Sequence, residues 1–357
     1  MSRELSRVSQ LVRPNIRELE PYHCAREKVQ KGILLDANEN PFQHLVDGTI
    51  VNRYPDPYQR QLRAALAEYL EVKPENVLAG SGSDEVLDWI FKVFCQPGTD
   101  AVATAEPTYG MYRVMADIYG VELQEFRLDA EFDFDHEDFL HRVDPAVKVL
   151  FLCTPNNPTG NLLSRRRIVD LLERWDRMVV VDEAYFEFSS GETLASEVER
   201  FPHLMVMRTF SKAFGCAGIR LGYVVGHSEV VEHFRKVKAP YNLNALTLEL
   251  GVEALTDLKG TRGQINEILD ERNRLDARLR RIPGIEQIYD SEANFILFRV
   301  PQASRICRQL IAEGIVVRDR SSLPGLMDCI RVSVGTPEEN RLFLDRLEET
   351  VKGLKNE

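Results

Sequence analysis

With 357 residues, 44% hydrophobic and 28% charged, the chain is ordinary globular material, long enough for about two domains. Its formal net charge of -11 leaves no basic excess to displace counterions, which argues against a nucleic-acid partner or an anionic membrane surface. The six cysteines show no C-x-x-C pair and no metal-ligand spacing, no apolar run approaches the ~18 residues of a membrane span, and Met1–Gln10 lacks the apolar centre of a signal peptide; the expectation is a reduced, cytoplasmic protein with no metal site and no membrane partner.

In chain order, a polar arm, Ser2–Arg13, comes first. With so little apolar material of its own, it is expected to be disordered or laid across a neighbouring subunit. Pro21-Tyr22-His23-Cys24 follows. Ile33-Leu34-Leu35 predicts a short strand that ends in the polar run Asp36-Ala37-Asn38-Glu39-Asn40-Pro41, and the two prolines of Arg53-Tyr54-Pro55-Asp56-Pro57 force an extended or turned path. Taken alone, both stretches also read as plain loop. Gln61–Leu70 has helical periodicity, and Asn76–Phe91 reads as strand, glycine turn and helix. Free backbone N–H groups at that helix start, beside Ser81 and Ser83, suit a phosphate. The pattern Gly80-x-Gly82-x-x-Glu85 lacks the third small residue of a dinucleotide fingerprint and the lysine of a P-loop, so a merely structural turn stays an equal alternative.

Apolar runs then alternate with helical stretches. Strands are predicted at Ala101–Thr104, Val121–Leu128, Val147–Cys153, Met178–Tyr185 and Leu204–Met207, with helices at Met111–Tyr119 and Arg165–Trp175. Continuous apolar strands between helices mean a parallel sheet covered on both faces. The turn Glu106–Gly110 delivers Tyr109 to the carboxyl edge of that sheet, and Thr154–Gly160, dense in Pro, Asn and Gly, is a rigid loop. Lys212 falls in the turn after the last of these strands. Phe210, Phe214 and Ile219 can desolvate it, and Ser211 and Arg220 can hold an anion beside it. A lone lysine in such a turn is usually a surface residue. Here Asn157, Asp182, Tyr185 and Lys212 all follow strands and so share one edge. Beyond Gly226, helices are predicted at Glu229–Val237, Ala245–Thr256 and Gln264–Arg281, the last ended by Pro283-Gly284. A small α+β unit follows, with strands Asn294–Val300, Ile315–Val317 and Cys329–Val334, a helix Ala303–Glu313, and a last helix opened by a capping box of Thr336, Pro337 and Glu339. Arg318 and Arg331 stand at strand ends. The expected division is an arm over residues 1–32, a large domain over 33–260 and a small one over 261–357.

Ser211-Lys212 with Arg220, Asn156–Gly160, Asp182-Glu183-Ala184-Tyr185 and the Gly80–Glu85 turn together resemble the fold type I aminotransferases that use pyridoxal 5′-phosphate. Asn38–Pro41, Arg53-Tyr54-Pro55, Arg318-Asp319 and Ile330–Gly335 are similar to the histidinol-phosphate aminotransferase family within them, from about Tyr22 to the end of the chain. The resemblance implies an α/β fold: a large domain whose mostly parallel central sheet has helices on both faces, a smaller α+β C-terminal domain, and an N-terminal arm. It implies that Lys212 bonds the cofactor and shuttles the substrate proton, that Asp182 pairs with the ring nitrogen, that Asn157 and Tyr185 donate to the phenolic oxygen, and that Tyr109 stacks on the ring. It assigns the phosphate to the Ser83 and Asp84 N–H groups, Ser211 and Arg220, with Tyr54 reaching it from the other subunit of a homodimer. Tyr22, Asn38, Arg318 and Arg331 would meet the substrates, L-histidinol phosphate and 2-oxoglutarate, which become imidazole acetol phosphate and L-glutamate in histidine biosynthesis. An aromatic amino-acid aminotransferase, or a lyase such as a threonine-phosphate decarboxylase, would share the cofactor residues. The chain departs from the family at His23-Cys24-Ala25-Arg26, where many relatives carry Pro-Gly.

Overall fold

Strands such as Val147–Cys153 and Met178–Asp182 are apolar at every second position on both faces, so they are stable only between two layers. The computed structural model, which describes residues 6–27 and 32–355, supplies those layers. Seven strands form the large sheet: β1 (Val77–Ser81), β2 (Ala101–Glu106), β3 (Glu122–Arg127), β4 (Val147–Cys153), β5 (Met178–Asp182), β6 (Leu204–Thr209) and β7 (Leu221–Gly226). Their order is β1-β7-β6-β5-β4-β2-β3. The pairs from β6 across to β3 are parallel, and β7 runs antiparallel to both its neighbours. Strand alternation sends Leu150, Leu152, Val179, Val181 and Val206 to one core, and Val149, Phe151, Val180, Met205 and Met207 to the other. This is the mostly parallel, doubly covered sheet expected.

A second, antiparallel sheet is built from β8 (Gln287–Ile288), β9 (Phe295–Arg299), β10 (Arg318–Asp319) and β11 (Cys329–Ser333), in the order β8-β9-β11-β10. Helices Leu258–Leu279, Ala303–Ala312 and Pro337–Lys355 cover it around Leu279, Phe298, Ile306, Leu310 and Leu347. The capping box forms: Thr336 N–H donates to Glu339 at 2.8 Å and Glu339 N–H to the Thr336 hydroxyl at 3.3 Å. Ile265, on the long helix, packs with Tyr185, Phe188 and Phe295, so the two sheets meet beside the edge that carries Asp182.

Several expectations need correcting. The arm expected over Ser2–Arg13 is not disordered where it is described, from Ser6 on. Val8, Leu11 and Val12 make one apolar stripe at helical spacing, buried in the chain's own core with Phe94 and Phe234, while the Ser9 hydroxyl donates to Glu229 at 2.6 Å. Ser2–Leu5 lies outside the described residues. Ile33-Leu34-Leu35 is not a strand: Ile33 is 92% and Leu35 85% exposed, and no described strand pairs with them. The predicted strand Ile315–Val317 moves on to Arg318–Asp319, where Arg318 finds Arg331 across the ladder. The fifth strand stops at Asp182 instead of Tyr185, because Ala184 N–H turns back to the Asp182 carboxylate at 3.1 Å. The long helix starts at Leu258, earlier than Gln264, with Asp257 accepting from Gly260 N–H at 3.0 Å.

Candidate active site

The carboxyl ends of β1, β2, β4, β5 and β6 share one edge, and that edge gathers most of the predicted site residues. Asp182 ends β5, in register with Cys153 and Met207, and is 4% exposed. The Tyr112 hydroxyl donates to its Oδ2 at 2.8 Å. Burial pushes the Asp182 carboxyl up to about 6, although the bonds from Tyr112 and Ala184 and the charge of Lys212 favour its ionised form. Lys212 opens onto the cleft, with Nζ 5.7 Å from the centre of the Tyr185 ring. Desolvation, then the nearby Arg331 guanidinium, holds the Lys212 ammonium below its ordinary value against the pull of Asp182.

Asn157 and Tyr185 meet at the same place, the Asn157 amide donating to the Tyr185 hydroxyl at 3.4 Å. Arg331 reaches over from the small sheet to donate to Asn157 Oδ1, with its guanidinium 5.1 Å from the centre of the Phe295 ring. The loop under Asn157 is fixed by Asn156, whose amide donates to Pro107 O and to Thr159, both at 2.8 Å, and accepts from Thr108 at 3.0 Å.

The helix Gly82–Phe94 starts at this edge with no side-chain cap, leaving its first N–H groups, Ser83 and Asp84 among them, without helical partners. Arg220 holds its guanidinium over that start, 3.4 Å from both Ser211 Oγ and Asp84 Oδ2. Two glycines make the approach possible. Gly82 has φ +76, and a Cβ there would lie 2.6 Å from Arg220 Nη2; a Cβ on Gly222 would lie 2.3 Å from Ser83 N. The result is a cup of backbone donors, one hydroxyl and one guanidinium, suited to a dianion. Tyr109 stands beside it, its hydroxyl 3.4 Å from Asp84 Oδ1 and its ring edge-on to Tyr112 at 5.6 Å.

Three predicted residues are not joined to this cluster by any hydrogen bond or ring contact among the described residues. Tyr54 is half exposed and stacks on Tyr241 at 4.4 Å. Tyr22 is 78% exposed, and Asn38 is exposed at φ 55. Arg318 faces Arg331 in register.

Other residues of consequence were not singled out from the sequence. Tyr112 sits one turn beyond Tyr109 on the buried face of its helix; that inward phase was the available signal. Arg208 interrupts an apolar strand, itself a signal. Its Nε and Nη2 reach Glu183 Oε2 at 2.9 and 2.7 Å, and Glu183, next to Asp182, also accepts from Thr193 and Leu194 N–H at 2.8 Å. Both side chains are almost fully buried. Arg208→Ala leaves Glu183 and the neighbouring Glu187 buried without a cation, so a loss of about 3–5 kcal/mol is expected in denaturant unfolding. Arg26, in the stretch that departs from the family, is buried and ion-paired with Asp36 and Glu39; Glu39 also takes Arg53 at 2.8 Å and Tyr54 N–H at 2.7 Å. The first strand-poor segment is thereby tied to Tyr54.

The model of a single protein family, aminotransferase class I and II, matches residues 19–347. The chain belongs to the class I and II aminotransferases. It is 43% identical, over 94% of its own length and 97% of the other's, to a histidinol-phosphate aminotransferase of Parabacteroides distasonis. Among solved structures it is similar to the histidinol-phosphate aminotransferase of Clostridium acetobutylicum (TM-score 0.79, 25% identity, 85% of this chain and 92% of that one). The Sinorhizobium meliloti enzyme, solved in complex with pyridoxal-5′-phosphate, matches with the same TM-score and identity over 85% of this chain and 83% of that one. In this aminotransferase Tyr112 touches the predicted site only through its bond to Asp182. Tyr112→Phe removes a hydrogen bond to the charged carboxylate, so the Asp182 pKa is expected to rise further and kcat/KM to fall about tenfold for donor and acceptor alike. A pH–rate profile whose acid limb stays in place would contradict this.

Proposed function

We propose that this aminotransferase holds pyridoxal 5′-phosphate and exchanges an amino group between L-histidinol phosphate and 2-oxoglutarate. The observation that carries the reading is one cleft with a buried acid, a charge-depressed lysine, a dianion cup at one end and arginines without a carboxylate partner at the other. The residues fit the cofactor by donor type: Ser83 and Asp84 N–H groups, Ser211 and Arg220 for its phosphate, Asp182 for its ring nitrogen, Asn157 and Tyr185 for its phenolic oxygen, and Tyr109 for its face. When bound, the cofactor supplies an electron sink for the carbanion left at the substrate carbon.

The chain's own groups do the rest. Asp182, ionised and shielded from water, holds a proton on the ring nitrogen. Burial raises the Tyr185 pKa, which keeps its hydroxyl a donor. Lys212, with its cationic form disfavoured, is the amine placed to accept the proton from the substrate carbon and return it. Histidinol phosphate has no α-carboxylate, so Arg331 and Arg318 meet its phosphate; 2-oxoglutarate presents carboxylates to the same cations. Asn38 and Tyr22 complete the substrate side.

A homodimer with shared sites belongs to the same reading. Ile33, Leu35 and Phe42 (80% exposed) carry an apolar surface that a second copy would cover, and Tyr54 on the same stretch would reach the partner's phosphate cup. The division at residues 32 and 260 is proposed on the same footing. Free cysteines and the lack, among the described residues, of any helix long and apolar enough to cross a membrane support a cytoplasmic setting.

Spectral titration tests the reaction: the yellow holoenzyme is expected to bleach with histidinol phosphate and recover its colour with 2-oxoglutarate. Carbon dioxide release would point to a lyase instead, and a kcat/KM higher for phenylalanine to an aromatic aminotransferase. Sedimentation as a monomer at micromolar concentration would remove the shared-site reading.

A further inference from the structure

The resemblance names two arginines for the substrate anion; the structure shows a third beside them. β10 carries Arg318 opposite Arg331, and the pairing continues one step, with Arg320 N–H donating to Cys329 O at 2.8 Å. Residues two apart on a strand share a face, as do residues opposite each other across a ladder. Arg318, Arg320 and Arg331 therefore stand on one face of the small sheet. Arg331, on the same face, reaches Asn157 in the cleft, and after desolvation the charges of Arg331 and Arg318 are those that act most on Arg320.

This trio lacks counter-ions. Among the described residues none of the three is in an ion pair, in a chain whose other arginines are mostly bridged to carboxylates. The intervening Asp319 does not neutralise them: it accepts from the Ser304 hydroxyl and, at 2.8 Å, from Ser321 N–H. Arg320 Nε and Arg331 Nε are buried with no hydrogen-bond partner. Buried polar atoms without partners are costly, and two on the face that carries three like charges would be satisfied by an anionic acceptor there. One arginine fork satisfies a carboxylate; a phosphate dianion offers three terminal oxygens and a second charge.

We propose that Arg320 is a specificity-determining residue that selects the doubly charged phosphate of the amino donor over a carboxylate. The inference rests on the phosphorylated-substrate reading given above and adds a residue to it. The test compares Arg320→Gln and Arg320→Lys with wild-type holoenzyme. For Arg320→Gln, kcat/KM with histidinol phosphate is expected to fall about 10- to 100-fold, chiefly through KM, as for loss of one charge-assisted bond to the ligand. With glutamate it should change less than about threefold, and Arg320→Lys should recover most of the loss. In wild type, KM for histidinol phosphate should fall as pH rises through the phosphate's second ionisation near about 6, and this dependence should flatten in Arg320→Gln. Inorganic phosphate, as a competitive inhibitor, should weaken in parallel. Equal losses with both donors, or no loss with either, would overturn the inference. A wild-type enzyme inactive on histidinol phosphate would sink the substrate reading alone, because competition by inorganic phosphate against a dicarboxylate still reads Arg320 directly.

Discussion

Asp182→Asn is expected to lower turnover at least about a hundredfold, the scale of losing one preorganised electrostatic group, and at the same time to stabilise the cofactor-free protein above pH 6. The second effect follows from linkage. Below the ordinary carboxylate value of 3.8 the group is protonated whether the chain is folded or not, so burial costs nothing. Between 3.8 and about 6 the folded chain holds a proton that the unfolded chain has lost, and stability falls as pH rises. Above about 6 the folded chain carries a buried charge, at a cost of about 3 kcal/mol for a gap of that size. Asparagine has no charge to desolvate and still offers an oxygen to Ala184 N–H. Urea unfolding of the two cofactor-free proteins should differ by about that amount at pH 8 and converge near pH 4. Equal stability at pH 8 would mean that water or a cation relieves the acid.

Lys212→Ala should have the largest effect on chemistry, at least about 10⁴-fold in both half-reactions, since on the proposed reading it removes both the covalent attachment and the proton carrier. Cofactor binding should survive in weakened form, because the cup of Ser83, Asp84, Ser211 and Arg220 is untouched. After borohydride reduction and denaturation, the wild-type chain should retain the cofactor's mass and the variant should not. Retention by the variant would move the attachment to another amine.

The central sheet was legible because its inner strands are nearly continuous apolar runs between helices, the pattern of a doubly covered parallel sheet. Lys212, Asp182 and Asn157 were legible because each follows such a strand. What escaped notice was tertiary. Tyr112 looks like any aromatic on an amphipathic helix until Asp182 is found above its hydroxyl. Arg208 and Glu183 are a charge in one strand and a charge after another, and nothing local says that they meet. Ser2–Arg13 looked too polar to pack because, among its described residues, only Val8, Leu11 and Val12 need burying, and three residues suffice on a short helix. Ile33-Leu34-Leu35 has strand composition but no strand to pair with among the described residues.

The bond from Arg331 to Asn157 has a consequence for how the cleft fills. The guanidinium donates to a neutral amide that belongs to the opposite wall. An arriving anion offers it a charged acceptor, and accepting that offer releases the amide oxygen while leaving the amide hydrogens facing Tyr185. On the proposed reading, one hydrogen bond thus links the anion site on the small sheet to the loop that carries Asn157.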